Sequence, residues 1–229
     1  MEARLHTDRR YEEELNALHH NILEMGGLVE KQIVNAITAL VQRDSELARQ
    51  TIARDHAVNR MDVEIDDLCI RLLALHQPAA RDLRLITTGL KITTDLERIG
   101  DMAENISERA LELNQEPQLK PFIDIPQMAD IAQRMLRQSL DAFVREDTEL
   151  ALKVCAEDDT IDALTDQLFR ELLSYMAEDP QTVTRAARLL FVSKYLERIA
   201  DHATNIAEMV IFMVKGKSIR HLTRLPERV

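Results

Sequence analysis

Apolar residues recur every three or four positions along most of this chain, the spacing that builds one buried face of an α-helix. Leu15, Leu18, Ile22, Met25, Val29, Ile33, Ile37 and Leu40 predict a first helix over about 9–42. Gly26-Gly27 interrupts it. Two glycines cost a helix about 2 kcal/mol relative to alanine, so either the helix bends there or another element approaches closely. Asp44 or Ser45 can cap a short helix running to about Arg54. The next helix, over about 55–76, buries Val58, Met61, Ile65, Leu68, Leu72 and Leu75. Gln77-Pro78 ends it, because a residue before proline avoids the helical region. A long helix follows over about 80–113.

The pattern then restarts. Pro117, Pro121 and Pro126 make 114–126 the one proline-dense stretch, which reads as a linker between halves spanning 1–116 and 117–229. A helix over 127–145 carries Ile131, Met135, Leu136, Leu140 and Phe143 inside. Arg145 to Ala151 corresponds to Gln42 to Ala48, and 158–178 to 55–76, at an offset of 103. Leu96-Glu97-Arg98-Ile99-Gly100-Asp101 returns as Leu196-Glu197-Arg198-Ile199-Ala200-Asp201 at an offset of 100. The match runs on through Ala103/Ala203, Asn105/Asn205, Ile106/Ile206 and Glu108/Glu208, so the chain is a tandem repeat. The last helix covers about 181–215, with Gly216 as its stop. The expectation is an all-α protein of two tandem three-helix bundles related by internal pseudo-symmetry, each half having three long helices and a short one.

Packing accounts for the apolar half of the repeated motif and leaves the polar half unexplained. Glu97, Asp101 and Asn105 stand at i, i+4 and i+8, as do Glu197, Asp201 and Asn205. They form a stripe roughly opposite the apolar face, exposed or turned to a partner. Like charges at i, i+4 cost a helix about 0.2–0.5 kcal/mol, yet both halves keep the pair. A hard cation between the carboxylates would reverse that sign, and Mg²⁺, Mn²⁺ and iron all accept oxygen-rich sites. Asp62 and Asp66 repeat the spacing in the preceding helix, and Asp158 and Asp162 do so in its counterpart. If these helices pack against the stripes, each half gathers four carboxylates. Arg98 and Arg198 flank the acids; they either neutralise them or, with Asn105 and Asn205, dock a partner. His202 has no equivalent in the first copy, where Met102 stands, and reads as incidental.

Composition narrows the classes. A net charge of −11 argues against nucleic acid and anionic membranes as main partners and suits divalent cations or basic protein surfaces. Lys215, Lys217, Arg220, His221 and Arg224 form the one basic patch, placed to oppose the negative end of the last helix. Cys69 and Cys155 lie far apart among apolar residues and read as core side chains. The charged start and the short apolar run at 209–214 suggest a soluble, cytoplasmic protein. No histidine has a glutamate three residues before it, and no phosphate-binding glycine loop or Gly-x-Ser-x-Gly occurs.

Several segments together resemble the PhoU family of accessory regulators of bacterial phosphate-specific transport. They are Met25 to Glu30, Gln77-Pro78 with Asp82-Leu83-Arg84, both Leu-Glu-Arg-Ile copies ending in Asp101 and Asp201, and Tyr195 to Lys217. The one departure within the motifs is Ala200 for Gly100. The resemblance implies a non-enzymatic protein, often a homodimer, that links the transporter's ATPase subunit to a membrane-bound sensor histidine kinase. It would hold the phosphate-starvation response off when phosphate is plentiful. It also implies metal ions (Mg, Mn, Fe or Zn) at Glu97/Asp101 and Glu197/Asp201, and more loosely at Asp62/Asp66 and Asp158/Asp162. The alternatives are a metal-dependent carboxylate-cluster enzyme and a metal-storage protein.

Overall fold

A computed structural model describes residues 2–219 and consists of six long helices joined by short connections. They are α1 (Glu2–Val41), α2 (Ser45–His76), α3 (Ala80–Leu113), α4 (Asp124–Arg145), α5 (Thr148–Glu178) and α6 (Val183–Lys215). A single 3₁₀ turn at Pro180–Thr182 leads into α6. The expected short helix is absent as a separate element. Residues 45–54 continue without a break into 55–76, because no glycine or proline lies between them. Each half is therefore three helices, α1–α3 and α4–α6.

The turns repeat as the sequence does. Asp44 Oδ1 accepts the backbone N–H groups of Glu46 and Leu47, and Asp147 Oδ1 accepts those of Glu149 and Leu150. Each cap satisfies two of the orphan donors at a helix start, worth about 1 kcal/mol. Gln77 closes α2 in the left-handed region at φ 46°, and Gly216 closes α6 at φ 68°. Lys215 stands in the last turn of α6, where its charge opposes the helix dipole. Arg220, His221 and Arg224 of the basic patch lie outside the described residues.

One apolar core runs through both halves. Leu18, Ile33, Ile65, Ile92 and Leu96 of the first half join Met135, Phe143, Leu172, Leu196 and Ile199 of the second in the same buried cluster. Among the described residues α3 and α6 pack along one another as extensively as any pair of helices, and they join the two halves, so the two motif-bearing helices form the central pair. Cys69 is buried and Cys155 half-buried; burial pushes both thiols up to about 12, which makes them packing residues rather than nucleophiles. No described helix is long and apolar enough to cross a membrane.

The stretch between α3 and α4 is shorter than expected and firmly held. It spans 114–123, because Asp124, Ile125 and Pro126 already belong to the first turn of α4, where proline's missing N–H costs nothing. Arg43 donates to the carbonyls of Asn114 (2.7 Å) and Glu116 (2.6 Å). From the other half Arg188 binds Glu112 at 2.7 Å and also pairs with Glu116. Arg185 donates to the Pro117 carbonyl at 3.0 Å. Lys120 is buried between Asp124, 2.7 Å away, and Glu171.

The glycine pair in α1 is a close approach, not a bend. A Cβ on Gly26 would lie 2.4 Å from Leu140 Cδ1 on α4, whereas one on Gly27 would meet nothing within 4 Å. Gly27→Ala should therefore gain the helix propensity alone, about 1 kcal/mol in urea unfolding. Gly26→Ala should fall short of that gain because Leu140 must move, and Gly26→Val should destabilise. Equal gains at both glycines would contradict the packing described.

Candidate metal centre

The stripe on α3 is not turned to open solvent, as its angle alone suggests. It faces α2 at the edge of the core, and the side chains of Glu97 and Asp101 keep only 24% and 30% of their exposure. Beneath them lies Asp55 of α2, only 5% exposed. One carboxylate oxygen each from Asp55, Asp101 and Glu104 lies within 4.8 Å of the other two. Gly100 leaves room for this approach: a Cβ there would sit 3.3 Å from Asp55 Oδ1, Gln32 Oε1 and Val58 Cγ1, so each would have to give slightly. Asp55 accepts a 2.8 Å hydrogen bond from Asn59 Nδ2 and a long one, 3.5 Å, from Gln32 Nε2 of α1. Gln32 Oε1 is buried beside it with no donor.

These acids resist ionisation. Asp55 is raised by burial and then by Asp101, against the hydrogen bonds from Asn59 and Gln32. Glu97 is raised by burial, then by Asp101, Asp62 and Asp55, with Arg98 opposing. Glu104 is raised by burial, then by Asp55, Glu108 and Asp101. Asp62 is raised by burial and Asp66, with Arg98 opposing. Crowded, partly dehydrated carboxylates of one sign are what a bound cation relieves.

The second half rebuilds the centre with substitutions. Asp158 of α5 occupies the place of Asp55 and faces Asp201 of α6 as Asp55 faces Asp101. Burial, then Asp201 and Asp162, push Asp158 up to about 6, while a 3.4 Å hydrogen bond from Thr204 pulls the other way. Thr204 stands where the first half has Glu104, and Asp162 where it has Asn59. Asp162 is raised by burial and Glu197, and Asp201 by burial, Glu197 and Asp162. Lys194 holds Glu197 at 2.5 Å.

The sequence reading therefore needs one shift of register. Asp62/Asp66 and Asp158/Asp162 share a spacing but not a position: at the offset of 103, Asp66 matches Phe169 and Asp158 matches Asp55. Asp62 still comes within electrostatic reach of Glu97, and Asp66 lies beside Asp62. Asp55 escapes a search for acids at i, i+4, and Glu104, although Glu108 stands four residues on, falls outside the repeated pairs because Thr204 replaces it in the second half. The repeat alignment points to Asp55, and Glu104 follows Asp101 at i+3, on the same face.

The flanking residues divide. Arg98 neutralises, with Nε 3.4 Å from Glu97 and an Nη 3.3 Å from Asp101. Among the described residues Arg198 makes no such pair, and Lys194 takes that role. Asn105 donates to the Asp101 backbone carbonyl at 2.7 Å. Asn205 instead reaches across the molecule to Asp95 of α3, 3.4 Å away. His202 is not incidental: its Nδ1 lies 2.8 Å from Asp95, a contact joining the two halves.

All the donors are oxygens, and the orphaned Gln32 Oε1 beside Asp55 adds a neutral one. That set fits Mg²⁺, Mn²⁺ or iron better than Zn²⁺, which favours nitrogen and sulfur.

A pH dependence follows for metal-free protein. A carboxyl whose folded pKa lies above its unfolded value binds more protons when folded, so its destabilising effect grows as pH rises from about 4 through 6. Asp158→Asn, which removes the charge but keeps the shape, should stabilise the metal-free chain by about 1–3 kcal/mol at pH 7 and by almost nothing at pH 4. Denaturant unfolding at the two pH values checks this. A constant difference, or a loss at pH 7, would contradict it.

Comparison with known proteins accords with the repeat. The model of the PhoU domain matches the chain twice, at residues 22–110 and 125–210. The phosphate-specific transport system accessory protein PhoU homolog of Pseudomonas aeruginosa is 43% identical over 98% of this chain and 94% of its own length. The homolog of Aquifex aeolicus is 44% identical over 91% of this chain and 94% of its own. The crystal structure of PhoU from Pseudomonas aeruginosa superposes with a TM-score of 0.88, covering 90% of this chain and all of that one at 43% identity. That of the regulatory protein from Streptococcus pneumoniae gives 0.86 at 31% identity, over 91% of this chain and 99% of that one. Two tandem copies of one domain, the same six-helix architecture and near-complete coverage place this chain in the PhoU family.

Proposed function

We propose that this chain is a non-enzymatic accessory regulator of phosphate-specific transport. The observation that carries the proposal is the likeness over 98% of the chain to a protein named as an accessory protein of the phosphate-specific transport system, beside a solved structure named as a phosphate transport system regulatory protein. In this reading it works in the cytoplasm, as a homodimer. It links the transporter's ATPase subunit to a sensor histidine kinase, and it keeps the phosphate-starvation response off while phosphate is plentiful.

The acidic centres support a divalent or transition metal as part of that role. Asp55, Glu97, Asp101 and Glu104 would hold it in the first half; Asp158, Asp162, Glu197 and Asp201 would hold it in the second. When bound, the metal supplies positive charge to the carboxylates between α2 and α3, and between α5 and α6. Arg98 and Lys194 offset part of the negative charge at each centre. Thr204 and Asn59 keep the inner carboxylates pointed into their sites by hydrogen bonds. A shell of charge at the seam of each bundle sets how firmly its helices close, and the surfaces offered to partners depend on that closure.

Genetics tests the regulatory role. Deleting the gene should leave alkaline phosphatase expressed in high phosphate, and the wild-type gene should restore repression. The Asp101→Asn/Asp201→Asn double variant, expressed to the same level, should restore it incompletely. Normal repression in the deletion strain would refute the regulatory role; full rescue by the double variant would separate that role from the metal.

A further inference from the structure

In the first half, a groove of about 290 Å³ lies between α1 and α2. Lys31 and Arg54 line it from the two helices, with Gln32, Asn35 and Thr51 between them. Neither cation has an acidic partner among the described residues. The one acid within a helical turn of Lys31 is Glu30, which is bound to Arg137 of α4 at 3.1 Å. The one acid within a turn of Arg54 is Asp55, turned inward to the carboxylate centre with Asn59 on it. In a chain of net charge −11, two unpaired cations on facing helices are a local reversal of sign.

The repeat supplies an internal control. At the offset of 103, Lys31 matches Arg134 and Arg54 matches Glu157. There the two form an ion pair, 3.4 Å apart, and the place closes on itself. The floor differs too. Gln32 and Thr51 of the first half correspond to Met135 and Val154, both fully buried apolar residues. The same packing position is thus self-neutralised and apolar in one half, and doubly cationic and polar in the other. Two like charges across a groove repel; an anion between them reverses the sign of that interaction. A guanidinium adds paired donors matched to a tetrahedral oxyanion, and an ammonium adds a point charge.

We propose that the Lys31–Arg54 groove binds a small tetrahedral dianion of the phosphate class, either free or carried as a phosphomonoester. Two fixed cations balance a dianion, and Asn35 supplies a neutral donor at the same edge. The volume exceeds that of a phosphoryl group several-fold, so it admits an organic carrier as readily as the free ion. The groove adjoins the first acidic centre through Gln32, whose amide rests on Asp55, but Lys31 and Arg54 are not among the partners of those carboxylates, and the proposal does not rest on the metal reading.

Titration calorimetry on the full chain, freed of metal so that no cation bridges phosphate to the carboxylates, tests this at low ionic strength. Inorganic phosphate and glycerol 3-phosphate are the two probes. Saturation by inorganic phosphate places the free ion in the groove; saturation by glycerol 3-phosphate alone places the group on an organic carrier. Arg54→Glu, which copies the Arg134–Glu157 pair, should weaken binding about tenfold or more, as loss of a charge-assisted contact does. Lys31→Gln should weaken it less, and both variants should melt as the wild type does, since both side chains are exposed. Lys91→Glu, an equal change of charge on α3, should leave binding intact. No saturable binding of either probe, or equal losses in Arg54→Glu and Lys91→Glu, would overturn the proposal.

Discussion

Everything distinctive about this molecule depends on holding carboxylates of one sign together where water is scarce. Asp55 has almost no exposed surface, yet it faces Asp101 and Glu104. A lone buried charge costs several kcal/mol, and a second and third of the same sign raise that further. The chain offers three forms of relief. Arg98 and Lys194 supply positive charge at the rim. Hydrogen bonds from Asn59 and Thr204 satisfy the inner oxygens. Taking up a proton is the third, eased because burial and the neighbouring acids hold the inner acids above their usual range. A divalent cation would replace all three at once, and the rest of the fold is built so that the cost is tolerable without one. Long helices, a continuous apolar core and two matching aspartate caps provide that margin.

Much of this was legible in the sequence. The 3.6-residue apolar pattern marks the long helices, and the doubled Leu-Glu-Arg-Ile motif marks the repeat. Where the reading failed, the reasons are physical. Asp44 and Ser45 do start a helix, but nothing after them stops it, so the short element merges into α2. The stripe's angle follows from one helix in isolation, whereas in the structure α2 packs beside it. Matching acids by spacing paired Asp62 with Asp158, whereas matching by position pairs Asp55 with Asp158. Spacing says which side chains share a face, and only packing says which faces meet. The Gly26 approach to Leu140 was one of two readings open at the sequence level, and the geometry selects it.

The two halves are alike in backbone and unlike in charge. Asn59 and Glu104 in one become Asp162 and Thr204 in the other, so a carboxylate moves from α3 to α5 while the seam stays acidic. Gly100 becomes Ala200, in keeping with Asp158 lying less deeply than Asp55. Asp95 binds His202 and Asn205 across the central pair of helices, and its counterpart is Tyr195, so this link exists once rather than twice. Duplication thus supplied two equal frames, and substitution gave each its own chemistry: a deeper centre with a cationic groove in the first, a shallower centre with a closed ion pair in the second.

The most direct measurement is crystallography of the full chain soaked in Mn²⁺, with anomalous scattering used to place the metal. The account predicts anomalous peaks at two seams, one among Asp55, Asp101 and Glu104 and one beside Asp158 and Asp201, each lost when the facing α3 or α6 aspartate becomes asparagine. Clear density for the empty carboxylates with no peak at either seam would contradict the central claim that the acidic centres exist to hold a cation.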